Sequence, residues 1–361
     1  MKGWLLALLL GSVALSAMNL TLLWSYRAGY SIDDLAFADN GNLAVAPSVT
    51  NCAYVFSPNG TILNKVCGGW EMYDVSYCCG VYAFVNWDQY VYVTYKNGTV
   101  IEKFLIGSDY NRAVSLVWDG FVACNDKCGF FSFKSNMTWS VDVKAVDNGP
   151  AYYEGFWYVP NWLNWTLTII SNSTGYVPNS LFLGESVWDA KVCNDYLAVS
   201  TRTRLFLFSL KNNVTHPREL WRVRGFNNAY QIAFSPDCKY IAVADKDNKE
   251  LKIYDINGTL VFSKAFGSNV NAVDWWMDRI AVGLNNGNVY VYKVEGYNAT
   301  VTPTSTKLAL ILLTNTSTTS TIANSNGTTQ QTTVETVSVK LPSVALISIL
   351  IALITRRRGP E

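Results

Sequence analysis

The feature that most constrains this chain is a short apolar strand that comes back about every forty residues. Its clearest copy is "YIAVAD" (Tyr240–Asp245), set inside Ala233–Gly267, where apolar and polar residues alternate between turns at "SPD", "DKDNKE" and "NGT". Related runs are "GNLAVAPS" (Gly41–Ser48), "GVYAFVNWD" (Gly80–Asp88), "GFVACND" (Gly120–Asp126), "GFWYVPN" (Gly155–Asn161), "DYLAVST" (Asp195–Thr201) and "DRIAVGLNNG" (Asp278–Gly287). Aligned on Val45, Val85, Ala123, Tyr158, Val199, Val243 and Val282, the copies lie 40, 38, 35, 41, 44 and 39 residues apart. Alternation in such short runs is a strand signal, and each period holds about four of them. A four-stranded sheet standing alone cannot bury both of its faces. Seven in series must therefore lend one another the missing packing surface.

Equal sheets that each pack on the next close into a ring, so the period implies an all-β, seven-bladed β-propeller. A ring must also hide its seam. The last repeat supplies only "VNAVDWW", "DRIAVGL" and "GNVYVYKVEG" before the composition changes. The spare strand is "LTLLWSYRAGYS" (Leu20–Ser31), which resembles the outer strands "RELWRVRGFNN" and "GTLVFSKAFGS". Thr21–Arg27 is thus expected to pair with about Asn288–Lys293 and remove an open sheet edge. Closure by "LALILL" (Leu308–Leu313) is the alternative.

The stretch "AFSPDCKYIAVADKDNKELKIYD" resembles WD-repeat and YVTN-type propeller blades, whose second strand follows an "FSPDG"-like turn, and "NVNAVDWWMDRIAVGLNNGNVYVYK" is similar. The likeness extends over about Asp189–Lys293 and is weak in the fourth repeat; Trp-Asp dipeptides at blade ends are absent. It implies a fold, and propellers host many unrelated activities.

The composition of the two ends points to an exported, membrane-anchored chain. Residues 1–17, "MKGWLLALLLGSVALSA", have one lysine, an apolar run and small residues, the layout of a secretory signal peptide. Residues 18–297 are the propeller ectodomain, and 298–336 a Ser/Thr-rich segment expected to be a disordered, glycosylated stalk. Residues 337–355 carry no charge apart from Lys340, which can snorkel, and are expected to form one transmembrane helix. The basic tail 356–361, with Arg356, Arg357 and Arg358, then lies in the cytoplasm. This order of parts resembles archaeal surface proteins and implies a single-pass type I membrane protein of the cell surface.

Eleven Asn-x-Ser/Thr sequons (Asn19, Asn59, Asn97, Asn136, Asn164, Asn172, Asn213, Asn257, Asn298, Asn315 and Asn326) predict N-glycosylation of an exported chain. At Asn59, Asn97 and Asn257 the triplet is "NGT", which is also a favoured hairpin turn. Eight cysteines suggest disulfides. The repeat register brings Cys52 to Cys67 across a strand pair, Cys124 to Cys128 across a turn, and Cys193 to Cys238 between adjacent blades. Cys78 and Cys79 are either a vicinal bridge or two free thiols. A zinc site at Cys124 and Cys128 is a rival, but the one histidine, His216, lies in another blade.

That single histidine, in the turn "NNVTHPRE", leaves little for Ser-His-Asp or Cys-His catalysis, and no phosphate-binding glycine loop follows a strand. No cofactor or metal is expected. Net charge is +1 with 15% charged residues, which argues against nucleic acid as a partner. Carboxylates are the remaining polar candidates. The repeat alignment puts Asp34, Asp74, Ser115, Asp189 and Gln231 at one level, at the channel mouth, where they could bind a cation or sugar hydroxyls. The alternative is that they accept backbone N–H bonds between blades. Trp162 and Trp165, in "YYEGFWYVPNWLNWTLT", are either an aromatic contact surface or interblade packing. The reading that follows is a membrane-anchored, non-enzymatic module binding envelope proteins or glycans. Its alternatives are an exported carbohydrate-active or quinoprotein-like enzyme, or a solute or cation receptor.

Overall fold

The structure, a computed structural model, describes residues 18–134, 137–144 and 146–297, together with the backbone of 317–323 and 329–335. Seven four-stranded antiparallel sheets follow one another along the first of two compact units. Their innermost strands are Ser31–Phe37, Met72–Cys78, Ala113–Val117, Ala151–Tyr153, Val187–Cys193, Ala229–Phe234 and Val270–Trp276. In blades one to six the four strands run outward in chain order. Blade seven takes its first three strands from Val270–Trp276, Arg279–Leu284 and Asn288–Glu295, and its outer strand from Asn19–Arg27. Thr21 lies opposite Lys293 and Arg27 opposite Asn288, so the N-terminal strand closes the ring.

Pairing corrects the repeat alignment in two blades. Leu35, Val75, Val114, Ala190, Ile232 and Val273 are equivalent, and their partners are Val45, Phe84, Ala123, Val199, Val243 and Val282. Blade two is therefore aligned on Phe84 rather than Val85. In blade three the level of Asp34 and Asp74 falls on Ala113, and Ser115 lies two residues further along the strand. In blade two the second strand is apolar and buried from Val81 to Val85, so no polar residue marks the register within that run.

The core lies in the seams. Between blades one and two, Ala44, Val55, Val75, Tyr82 and Phe84 are buried together; between four and five, Tyr158, Leu167, Leu197 and Phe206. Each buried Val, Leu or Phe among them contributes about 1.5–3 kcal/mol on leaving water. At the outer rim the indole N–H groups of Trp24, Trp139 and Trp221 donate to the carbonyls of Pro58, Asn172 and Ile256 in the next blade, at 3.2, 2.6 and 2.9 Å. Gly60 sits at φ +85° beneath the Trp24 ring, and a Cβ there would lie 2.8 Å from it.

Disulfides join Cys52 to Cys67, Cys124 to Cys128 and Cys193 to Cys238, and Cys78 to Cys79 as a vicinal bridge. Only the Cys193–Cys238 bond ties two blades together, five and six.

In the second unit Ser317–Ala323 and Thr329–Glu335 pair as an antiparallel ribbon, inside the segment whose composition predicts a disordered stalk. The β-branched threonines that make it polar also favour extended backbone. The expected signal peptide 1–17, Asn136, Asn298, Asn315, Asn326, Leu308–Leu313, the expected transmembrane segment 337–355 and the tail 356–361 lie outside the described residues. Among the described residues no helix is long and apolar enough to cross a membrane.

Candidate functional site at the channel mouth

Asp34, Asp74, Asp189 and Gln231 are buried, at 5, 3, 0 and 2% exposure. Each accepts the backbone N–H of the next blade's innermost strand. Asp34 takes Val75 N–H at 2.9 Å, Asp74 takes Val114 at 2.7 Å, Asp189 takes Ile232 at 2.9 Å and Gln231 takes Val273 at 2.7 Å. Asp274, two residues along from that level in blade seven, takes Phe37 N–H at 2.6 Å and closes the circuit. Gln231 also donates to Asp34 across the ring. These side chains are latches between blades, because a buried backbone N–H needs an acceptor. The latch is missing at blade four, where Ala113 and Pro150 occupy the acceptor level.

Burial in the ring raises the proton affinity of three of these carboxylates, Asp74, Asp189 and Asp274. Burial and the neighbouring Asp34 charge push Asp74 well above the usual carboxylate range. Burial pushes Asp274 up to about 7. Burial also raises Asp189, against the pull of Lys191, whose ammonium lies 3.1 Å from it. Lys191 is the cation of the ring: burial alone would lower its proton affinity, but Asp189, Asp34 and Asp74 together hold it above the ordinary lysine range.

The mouth itself is built from the residues one position earlier. In five blades the innermost strand carries a bulge at this point, with register breaks between Ile32 and Asp34, Met72 and Asp74, Val187 and Asp189, Ala229 and Gln231, and Val270 and Ala272. A bulge inserts one unpaired residue and re-aims its side chain. The inserted residues are Asp33, Tyr73, Trp188, Tyr230 and Asn271. Asp33, Tyr230 and Asn271 line a cavity of about 600 Å³ with Arg27, Arg112 and Lys246. Lys246 stands 3.9 Å above the Tyr230 ring, and burial pushes Asp33 up to about 6. Among the described residues neither Arg27 nor Lys246 forms an ion pair.

Below this cavity the channel is crossed by the loop before blade four's first strand. Asp147 is ion-paired with Arg112 and accepts from Tyr230 Oη at 3.2 Å. Asn148, 3% exposed, donates from Nδ2 to the carbonyls of Trp188 at 2.9 Å and Tyr230 at 3.2 Å. Gly149 packs against the opposite wall, where a Cβ would meet the Val114 carbonyl at 2.5 Å and Asp74 Oδ2 at 3.2 Å. The loop touches blades two, three, five and six, and it plugs the channel.

The two singled-out tryptophans part company. Trp162 is half-buried and stacks on Trp188 at 6.0 Å; Trp165 is 46% exposed beside Phe182. Trp188 continues to Tyr230 at 5.5 Å, so an aromatic row runs from blade four to blade six along the mouth. His216 is exposed in its turn, with Nδ1 3.0 Å from Thr215 Oγ1. No cluster of three or more His, Cys, Asp or Glu suited to a metal occurs among the described residues. Sequence reasoning missed the bulge residues and the plug. The signals available were the residue preceding each aligned acceptor, and "DNGP" (Asp147–Pro150), where Gly-Pro interrupts the strand.

The chain matches no protein-family model and no curated protein. Among solved structures it is similar to the β-propeller domain of Cps50 (Swd1) from Myceliophteria thermophila, with a TM-score of 0.65, 14% identity, and coverage of 76% of this chain and 100% of that one. It is also similar to the WD40 β-propeller domain of Doa1, with a TM-score of 0.64, 14% identity, and coverage of 76% and 97%. At this identity the likeness is one of fold, a WD40-like seven-bladed propeller.

Proposed function

We propose that this chain is an exported, membrane-anchored propeller of the cell surface that binds envelope proteins or glycans at the channel mouth and performs no chemistry. The observation that carries this reading is the mouth cavity of about 600 Å³, to which bulges in several blades deliver polar and aromatic side chains above a plugged channel. Catalysis needs polar groups converging on a reacting atom in a closed site. Here the carboxylates that could serve as acid and base, Asp34, Asp74 and Asp189, accept interblade N–H bonds beneath the plug. The binding surface therefore rests on Asp33, Tyr230, Asn271, Arg27 and Lys246, with the exposed Trp165 at its blade-four edge. Aromatic faces and unpaired cations suit glycans and protein surfaces alike. Surface anchoring rests on residues 1–17 and 337–358 of the sequence.

The test is cross-linking on intact cells together with a glycan array, comparing the unaltered chain with a Tyr230→Ala/Lys246→Glu variant. Capture of an envelope component that the variant loses is expected. Equal capture by both would move the binding surface away from the mouth.

A further inference from the structure

In an antiparallel four-stranded meander the turns alternate between the two ends of the sheet. The first-to-second and third-to-outer turns share one end; the second-to-third turns and the connections between blades share the other, which here holds the mouth. The sequons divide unequally between these ends. Asn59, Asn97, Asn172, Asn213 and Asn257 all lie in or at third-to-outer turns, of blades one, two, four, five and six. Asn136 falls in sequence between the third and outer strands of blade three, Lys127–Ser132 and Met137–Asp142. Asn19 begins the outer strand of blade seven opposite Glu295, at the same end. Every blade but the third thus has one described sequon at its far outer corner, and in blade three Asn136 holds the corresponding place in sequence. Among the described residues only Asn164, in blade four's second-to-third turn, lies at the mouth end.

Turn chemistry explains part of this pattern and leaves a remainder. Asn59, Asn97 and Asn213 accept N–H bonds from Thr61, Thr99 and Thr215 at 3.4, 3.1 and 3.0 Å, the Asx-turn geometry that favours asparagine. In blade six Asp255 does this work, accepting from Asn257 N at 3.0 Å and Thr259 N at 2.8 Å, so the turn makes no use of the Asn257 side chain. A turn of this kind also asks for no hydroxyl two residues on. Yet all seven corners have threonine there: Thr21, Thr61, Thr99, Thr138, Thr174, Thr215 and Thr259. Thr61, Thr99 and Thr259 are exposed, and their hydroxyls make no hydrogen bond among the described residues. The asparagines at positions 19, 59, 97, 213 and 257 are exposed as well. Asn172 is half-buried, with Oδ1 accepting from Trp157 Nε1 at 2.7 Å while its amide nitrogen makes no bond among the described residues. A surface Asn with Ser or Thr two residues on is the acceptor for N-glycosylation.

We propose that these corners carry N-linked glycans, one per blade, forming a collar on the face away from the mouth, against the single described sequon, Asn164, at the mouth end. At each corner the asparagine Nδ2 forms a bond to the anomeric carbon of a lipid-linked glycosyl (pyro)phosphate. The bond from that carbon to the phosphate oxygen breaks, the lipid phosphate leaves with the electron pair, and the amide nitrogen gives up one proton. The collar rests on the exported reading above and is independent of what the mouth binds.

The test is per-site glycopeptide mass spectrometry on the full chain from membranes of an N-glycosylating host, with the N-terminus sequenced in the same sample. High occupancy at the corner sites is expected. Thr61→Ala, Thr99→Ala and Thr259→Ala should each remove one glycan mass and leave the melting temperature of deglycosylated protein unchanged, since the Asn and Gly of each turn remain. Bare corners on a chain whose leader has been removed would overturn the collar while leaving export standing. Bare corners with the leader intact would overturn both.

Discussion

Blades one and four are copies of the same repeat, yet they meet their neighbours by different means. Blade one hands Asp34 to the Val75 N–H of blade two and receives Asp274 from blade seven at Phe37 N–H. Blade four does neither: its innermost strand is three residues long, and Pro150 stands where the acceptor would be. Its preceding loop turns inward and sends Asn148 to blades five and six. The seams around blade four hold by side-chain packing, such as Trp139 with Trp157, and by the Trp139 bond to Asn172. One blade has given up its latches, and the same segment has become the plug. Regularity and a special site compete for the same residues, and here they have been separated by blade.

The largest test of that contrast breaks a latch. Asp189→Ala strips Ile232 N–H of its acceptor and leaves Lys191 without its nearest carboxylate. An orphaned buried N–H and an unpaired ammonium together would cost about 3–5 kcal/mol in a dry interior. Lys191 is 38% exposed along the channel, and water relieves part of this, so a loss of about 2–4 kcal/mol in urea unfolding is expected. A loss within about 0.5 kcal/mol, the range of ordinary surface substitutions, would show that the latches are not structural.

A smaller effect should follow at the plug. Asn148→Ala removes two bonds to carbonyls of blades five and six, worth about 1–2 kcal/mol together. The more telling readout is amide exchange. Faster exchange confined to Ala151–Tyr153 and Phe156–Asn161 would mark blade four as a separable opening unit, whereas acceleration spread through all seven blades would make it part of one cooperative ring.

The sequence carried the ring more clearly than the site. A forty-residue period survives because each blade must bury the same two faces, so the alternation of Tyr240–Asp245 repeats wherever a second strand is needed. The closing strand was legible for the same reason: Leu20–Arg27 has the pattern of an outer strand and no partner nearby in sequence. The acceptors Asp34, Asp74, Asp189 and Gln231 were also found by alignment, but position alone does not separate a latch from a ligand group. The difference is one residue of bulge, which sends Asp33 to the mouth and Asp34 into the seam. Bulges leave no compositional mark in "SIDDLAF" or "VWDAKVC". The plug was hidden by its own departure from the repeat, since alignment discards what does not align.

The smallest prediction concerns pH. Asp274 has its folded-state pKa raised to about 7, above the value near 3.9 expected in the unfolded chain, and Asp33 is raised to about 6. The folded state therefore holds these protons more tightly than the unfolded state. Their contribution to stability is complete below about pH 4 and is lost as pH rises through 6 and 7. Asp74 and Asp189 are shifted in the same direction. Asp39 and Asp237 are lowered, so their contribution falls away only in more acidic solution, outside this window. Asp274→Asn keeps an oxygen to accept Phe37 N–H but cannot ionise. Its melting temperature should fall less between pH 5 and 8 than that of the unaltered chain, and at pH 8 it should be at least as stable. Asn148→Ala, in the unlatched blade, should keep the original slope. Equal slopes for all three proteins would remove the ring of latches as the source of the pH dependence, and with it the electrostatic distinction between blade four and the rest.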